Sequence, residues 1–194
     1  MTKIRKLNYY FKRTVEHIHR VQNNMLFLVT NAHEFKFNAG PDSFEFNEDT
    51  KRELMFNVMK HDQSKFNLIQ FKPYIELTEY YYQRKNLNNI NYEYPSKDIK
   101  QAVDVAVQDH YFKENHHPER MKGQAEKMPF THLVEVCCDL QAMAQEYDEG
   151  SCRGYFENVW VKKQSENFYD DYDWEVTKEF MNQIINIFDG KPHP

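Results

Sequence analysis

The chain has 194 residues and a net charge of −5, with only 5 glycines and 7 prolines. That length allows one domain, or at most two small ones, and suffices to bury a sizeable core. The composition excludes a linker-rich or disordered protein. Mild acidity without a long basic run makes nucleic acid an unlikely partner, though a local basic pocket for one phosphate stays open.

Three cysteines, Cys137, Cys138 and Cys152, form neither a disulfide framework nor a CxxC zinc knuckle. They are expected to be small buried residues in a reducing compartment. The N-terminus is basic but lacks a following apolar core, so no signal peptide is expected. No window approaches the roughly 20 apolar residues of a membrane span. The expectation is a soluble, cytoplasmic protein with no membrane partner. With 13 Tyr and 15 Phe, an aromatic core is expected. Base stacking by tyrosines is disfavoured, because the basic groove that accompanies it is missing.

A first helix is predicted from about Lys3 to Thr30, since Leu7, Phe11, Thr14, Ile18, Val21, Met25 and Leu28 recur at steps of four and three. His17 lies on the edge of this stripe, where a hydrogen-bonded core histidine is the plain reading and a ligand the other. Residues 31–47 read as irregular, with a turn signal at Ala39-Gly40-Pro41-Asp42-Ser43. Asn47, followed by Glu48 and Asp49, opens a second helix to about His61, with Leu54, Met55, Val58 and Met59 buried. His61-Asp62 then falls at its C-terminal end, followed by Lys65.

Asn67 caps a third predicted helix, Leu68 to Arg84, in which Pro73 marks a break. Ser96 opens a fourth, whose apolar face is Ile99, Ala102, Val103, Ala106 and Val107, with His110 continuing that side. Proline after His117 disfavours a helical conformation there. His116 and His117 are then either site residues on a turn or a polar helix end. Thr131 caps a fifth helix to Tyr147 with Leu133, Val136, Leu140 and Met143 as its stripe. Asp139 points into that stripe, where an unpaired carboxylate would cost on the order of several kcal/mol; a metal, an arginine or a set of donors should meet it. Glu135, one turn earlier, is placed to orient a histidine or act as a general base. Gly150 and Gly154 frame a loop, a less regular segment spans Tyr155 to Lys163, and a last helix runs from the acidic run at Asp170 to Phe188, ended by Gly190 and Pro192. No strand pattern, hairpin signal, repeat, P-loop or dinucleotide fingerprint is found. The fold class is all-α: one domain of about six or seven helices.

In chain order the candidate ligands are His17, His61-Asp62, His110, His116-His117 and Asp139. Imidazole and carboxylate together suit Mn, Fe, Zn, Co or Ni, and the carboxylates also Mg. The order His17, His61-Asp62, Asp139 resembles the HD superfamily of metal-dependent phosphohydrolases, and Lys65 matches its HDxxK form. The runs His61-Asp62-Gln63-Ser64-Lys65-Phe66, Asp109-His110-Tyr111 with Asn115-His116-His117-Pro118, and Glu135 to Met143 more closely resemble the DUF5662-like family of bacteria and their phages. Within that resemblance Leu140 stands where tryptophan is often expected. The likeness covers about His17 to Met143 and leaves the tail after Gly150 outside.

The resemblance implies an HD-like bundle with a metal core at about 5–148 and a C-terminal helical extension at 150–190. It implies one or two divalent ions, held by His17, His61, Asp62 and Asp139, with His110 and His116 or His117 as further ligands. The implied activity is hydrolysis of a nucleotide or other small phosphomonoester by metal-activated water. Lys65 would stabilise phosphate charge, and Glu135 or a histidine not held by metal would move the proton. The alternatives are an HD-fold di-iron oxygenase and a non-catalytic protein that holds a nucleotide or partner in the same pocket. A homodimer is compatible with all three.

Overall fold

The first helix shows how burial, not hydropathy alone, selects the inward face. The computed structural model describes residues 2–147 and 151–190. Helix α1 runs Lys3–Asn31. Its buried positions are Tyr10, Thr14, His17, Val21, Asn24, Met25 and Leu28. Phe11, expected inside, is 40% exposed, whereas Tyr10 is fully buried. The tyrosine goes inward because its hydroxyl has a partner there: it donates to the Lys65 carbonyl at 2.7 Å, while its ring meets Phe66 and Phe71 edge-on. The stripe thus shifts by one residue at this end, and His17 sits in its middle rather than on its edge.

Residues expected to be irregular instead form a hairpin, β1 (Lys36–Ala39) and β2 (Asp42–Glu45), paired antiparallel with Phe37 opposite Phe44. The alternation Phe35, Phe37 and Phe44, Phe46 is a period-2 signal, short enough to be read as a turn with flanking aromatics. Gly40 takes φ +60° ahead of Pro41, which matches the hairpin turn that wants glycine first.

Helix α2 (Glu48–Val58) is capped as expected, Asn47 Oδ1 accepting from the Thr50 N–H at 2.9 Å. Leu54 and Val58 are buried, but Met59 is 58% exposed because the helix has already ended. Asn67 Oδ1 accepts from the N–H groups of Ile69 and Gln70, and α3 begins only at Phe71, running to Tyr81 before a wider π turn over Tyr82–Asn86. Pro73 sits in its first turn, where a missing N–H costs nothing, so no break follows. Helix α4 (Lys97–Lys113) starts at Ser96, whose hydroxyl accepts from the Ile99 N–H. Of its expected face, Val103 and Ala106 are buried and Ala102 is not.

Helix α5 (Phe130–Tyr147) starts ahead of Thr131, whose hydroxyl donates to Glu53 Oε1 at 2.8 Å instead of capping. Positions 133–138 of α5 are buried without interruption, the pattern of a helix surrounded on all sides. Gly154 lies inside α6 (Cys152–Tyr155), not in a loop. A π turn over Phe156–Trp160 leads to α7 (Val161–Gln164), and α8 (Asp171–Phe188) is capped by Asp170. Gly150 and Pro192 lie outside the described residues.

The chain divides into two compact units, residues 1–16 with 62–114 and residues 17–61 with 115–194. In the first, α3 packs on α4 around Tyr10, Tyr74 and Ala106. In the second, α5 packs against α2, α6 and α8. Its core includes Leu54, Leu133, Phe180, Ile184 and all three cysteines. The hairpin is tied to this core by Tyr172, whose hydroxyl donates to the Ala39 carbonyl at 3.0 Å, and by the Lys127–Asp42 ion pair at 2.8 Å. The fold class is all-α with this one small sheet among the described residues. None of the described helices is long and apolar enough to cross a membrane.

Phe180 is fully buried, and its ring meets those of Phe35, Phe37, Phe44 and Phe130 at 4.4 to 6.1 Å. Phe180→Ala is expected to cost about 3–5 kcal/mol, read as a lower urea midpoint with an unchanged slope.

Candidate metal centre

The larger unit gathers five ionisable side chains from separate elements. Helix α1 supplies His17 and α5 supplies Asp139 and Glu135, four residues apart and therefore on one face. His61 follows the end of α2, its N–H bonded to the Val58 carbonyl at 3.2 Å. His116 comes from the turn after α4, which stops at Lys113, ahead of the proline that was expected to end it.

His17 Nε2 lies 3.0 Å from Asp139 Oδ1. Two such atoms, each a ligand type with a lone pair toward the other, require a proton or a cation between them. One donor atom each from His17, His61 and Asp139 lies within 4.8 Å of the others. A second set, His61, His116 and Glu135, meets the same limit. His61 Nδ1 donates to Glu135 Oε1 at 2.9 Å, and His116 Nδ1 is 3.3 Å from that same oxygen. The His61 and His116 rings are 4.2 Å apart and those of His17 and His61 5.6 Å.

With Nδ1 committed to Glu135, the nitrogen through which His61 can ligate is Nε2. A carboxylate that orients a ligating imidazole in this way is the usual second layer of a metal site. Burial pushes both carboxyls up, but the histidines outweigh it. Hydrogen bonds and charge from His116 and His61 leave Glu135 at about 2, and the His17 hydrogen bond, with charge from His17, His61 and His116, holds Asp139 well below the usual carboxylate range. Both are therefore anions, as cation ligands must be. His117 is turned to Glu119, its Nδ1 3.7 Å from Oε2, with its ring 4.3 Å from that of His116. Burial, aided by His116, pushes His117 down to about 4, so it is a neutral imidazole.

The other predicted site residues, Asp62, Lys65 and His110, belong to the smaller unit. Asp62 is 1% exposed and adopts the left-handed conformation, φ +59°, which aspartate tolerates better than most residues. It is paired with the Lys65 ammonium, and its Oδ1 is 3.1 Å from His110 Nε2. The Lys65 ammonium also lies 5.5 Å from the centre of the Tyr74 ring, and burial, followed by the Asp62 charge, raises the Tyr74 phenol far above its ordinary range.

A family model described as "Family of unknown function (DUF5662)" matches residues 6–189. The chain belongs to DUF5662. The DUF5662 match extends well past Met143 and takes in α8, so the tail after Gly150, set outside the resemblance by sequence reading, lies inside the family. No curated protein and no solved structure matches the chain.

Several residues at these clusters carry no motif of their own. Glu119 is held by Gln164 Nε2 at 2.9 Å, and Glu146 Oε2 lies 3.8 Å from His17 Nδ1. In the smaller unit Glu114 accepts from the Ser64 N–H at 3.1 Å. A lone glutamate on a helix has no sequence signal; only Glu146, seven residues after Asp139 on the same face, could have been found by spacing.

Glu135 sits well below its ordinary 4.5 in the fold, so the unfolded chain binds the extra proton as pH falls. Its contribution to stability is present above about 4.5 and is lost toward about 2. Glu135→Gln is expected to flatten the acid limb of the stability curve across that window, measured by urea unfolding of chelator-treated protein at successive pH values.

Proposed function

We propose that this DUF5662 protein is a metal-dependent phosphohydrolase of the HD type, acting on a nucleotide or other small phosphomonoester. The observation that carries the reading is the set of buried His17 and His61 with half-buried Asp139, whose donor atoms lie within 4.8 Å of one another. Mixed imidazole and carboxylate donors fit Mn, Fe, Co, Ni or Zn, with Mg the least suited to so much nitrogen. A divalent ion bound there would supply Lewis acidity and bring the pKa of a water toward about 7.

The chain's own residues do the rest. Glu135 holds His61 by Nδ1 at 2.9 Å, and so fixes which nitrogen faces the centre. His116, against the same carboxylate oxygen, is the imidazole placed to hold or pass a proton. Asp62 follows His61 directly in the chain, giving the two-residue signature on which the HD resemblance rests.

One observation favours a second reading. The sets His17, His61, Asp139 and His61, His116, Glu135 share His61; with an ion in place of the proton between His61 and Glu135, two such overlapping donor groups would suit a pair of ions, as in a di-iron oxygenase.

Full-length protein purified without a histidine tag is expected to retain close to one or two divalent ions and to release phosphate from some member of a nucleotide and phosphomonoester panel with Mn, Co, Fe or Mg. Asp139→Ala should lower both metal content and turnover, the latter by more than about 100-fold. Metal-loaded protein that leaves the whole panel untouched sinks the hydrolase reading. Tightly held iron with an oxidation-dependent spectrum would replace it with the oxygenase.

A further inference from the structure

In the larger unit one half-buried cation has no anion. Lys6, Lys65 and Arg153, each drawn partly into the fold, meet carboxylates: Lys6 Nζ is 2.8 Å from Glu76 Oε2, Arg153 Nε is 3.0 Å from Asp189 Oδ2, and Lys65 pairs with Asp62. Arg120 is half-buried as well, yet among the described residues it has no carboxylate partner. Glu119, the nearest acid in sequence, is taken by Gln164 Nε2 at 2.9 Å. A cation withdrawn from water without an anion is costly, and something should meet it.

The guanidinium is already positioned. Arg120 Nη1 donates to Asn115 Oδ1, and the Arg120 backbone N–H donates to the His117 carbonyl at 3.2 Å. The arginine thus closes a small loop around His116 and His117, tied back to the residue just before them. With Nη1 held by Asn115, the edge formed by Nε and Nη2 keeps its donors, a fork that matches two oxygens of one phosphate. Half-buried His132 lies three residues before Glu135 and so on the same side of α5. Burial pushes His132 below its ordinary value; Glu135 acts against this, while Arg120 and His116 add to it. Arg120, His132, Glu135 and His116 therefore share one neighbourhood.

We propose that Arg120 grips the phosphate of the substrate, with His132 beside it as a further donor, and that this grip selects a phosphomonoester over a diester. The proposal rests on the phosphohydrolase reading of the same centre and deepens it to a substrate class. A monoester phosphate has three non-bridging oxygens, a diester two. The fork takes two and an ion in the centre needs one, so the monoester alone serves both. Asn115 is then a positioning residue, since it fixes the plane in which the fork is offered.

The test is calorimetric titration of full-length, Mn-loaded protein with inorganic phosphate and with dimethyl phosphate, run beside turnover of the phosphomonoester panel. Wild type is expected to bind phosphate and to bind dimethyl phosphate more weakly. Arg120→Gln should weaken phosphate by about 10- to 100-fold with metal content unchanged, and should raise KM more than it lowers kcat. Arg120→Lys keeps the charge but loses the fork, so it should recover only part of the affinity. If Arg120→Gln does not fold, Arg120→Lys decides, and it must still bind phosphate more weakly than wild type. Phosphate affinity that the deciding variant leaves unmoved overturns the proposal, even where wild type hydrolyses the panel, as does dimethyl phosphate bound as tightly as phosphate. Loss of metal along with phosphate also overturns it, because Arg120 would then be holding the centre together. An idle panel with Arg120-dependent phosphate binding overturns the hydrolase reading and leaves Arg120 as a phosphate-binding residue.

Discussion

Two carboxylates on the most buried helix of the larger unit set the terms for everything around them. Glu135 is 2% exposed and Asp139 lies one turn further along α5. An ion without a partner in such surroundings would cost several kcal/mol. The chain meets this with imidazoles rather than with arginine or lysine: His17 on Asp139, and His61 and His116 on Glu135. An imidazole can be a proton donor in one state and a lone-pair donor in another. The same contacts that satisfy the carboxylates are therefore convertible to ligation, which a guanidinium contact would not be.

Placement follows from where helices end. His61 and Asp62 come just after α2, and His116 just after α4. Backbone at a helix end turns freely, so consecutive residues can face different ways. That freedom lets His61 serve one unit and Asp62, through its left-handed backbone, the other.

Much of this was legible because capping and periodicity are local. Asn47, Ser96 and Asp170 each accept the hydrogen bond their position predicts. The step pattern also brought His110 onto the buried side of α4. What escaped was decided by partners distant in sequence. Tyr10 displaced Phe11 because of Lys65, and Thr131 left its capping role for Glu53. The hairpin was hidden by brevity: four residues a strand offer two alternations each, too few to separate from a turn between phenylalanines. In the candidate centre the histidines and Asp139 could be named from their order, but the Gln70–Asp109 and Gln164–Glu119 bonds could not, since amide side chains gain a direction only once their neighbours are in place.

All three cysteines lie in the core of the larger unit. Burial pushes each thiol up, away from the thiolate, and Cys152 Sγ donates to the Cys137 carbonyl instead of meeting water. The folded molecule thus offers oxidants and alkylating reagents no cysteine thiolate. Its thiols become reactive only when that core opens, which makes them a built-in clock for its opening.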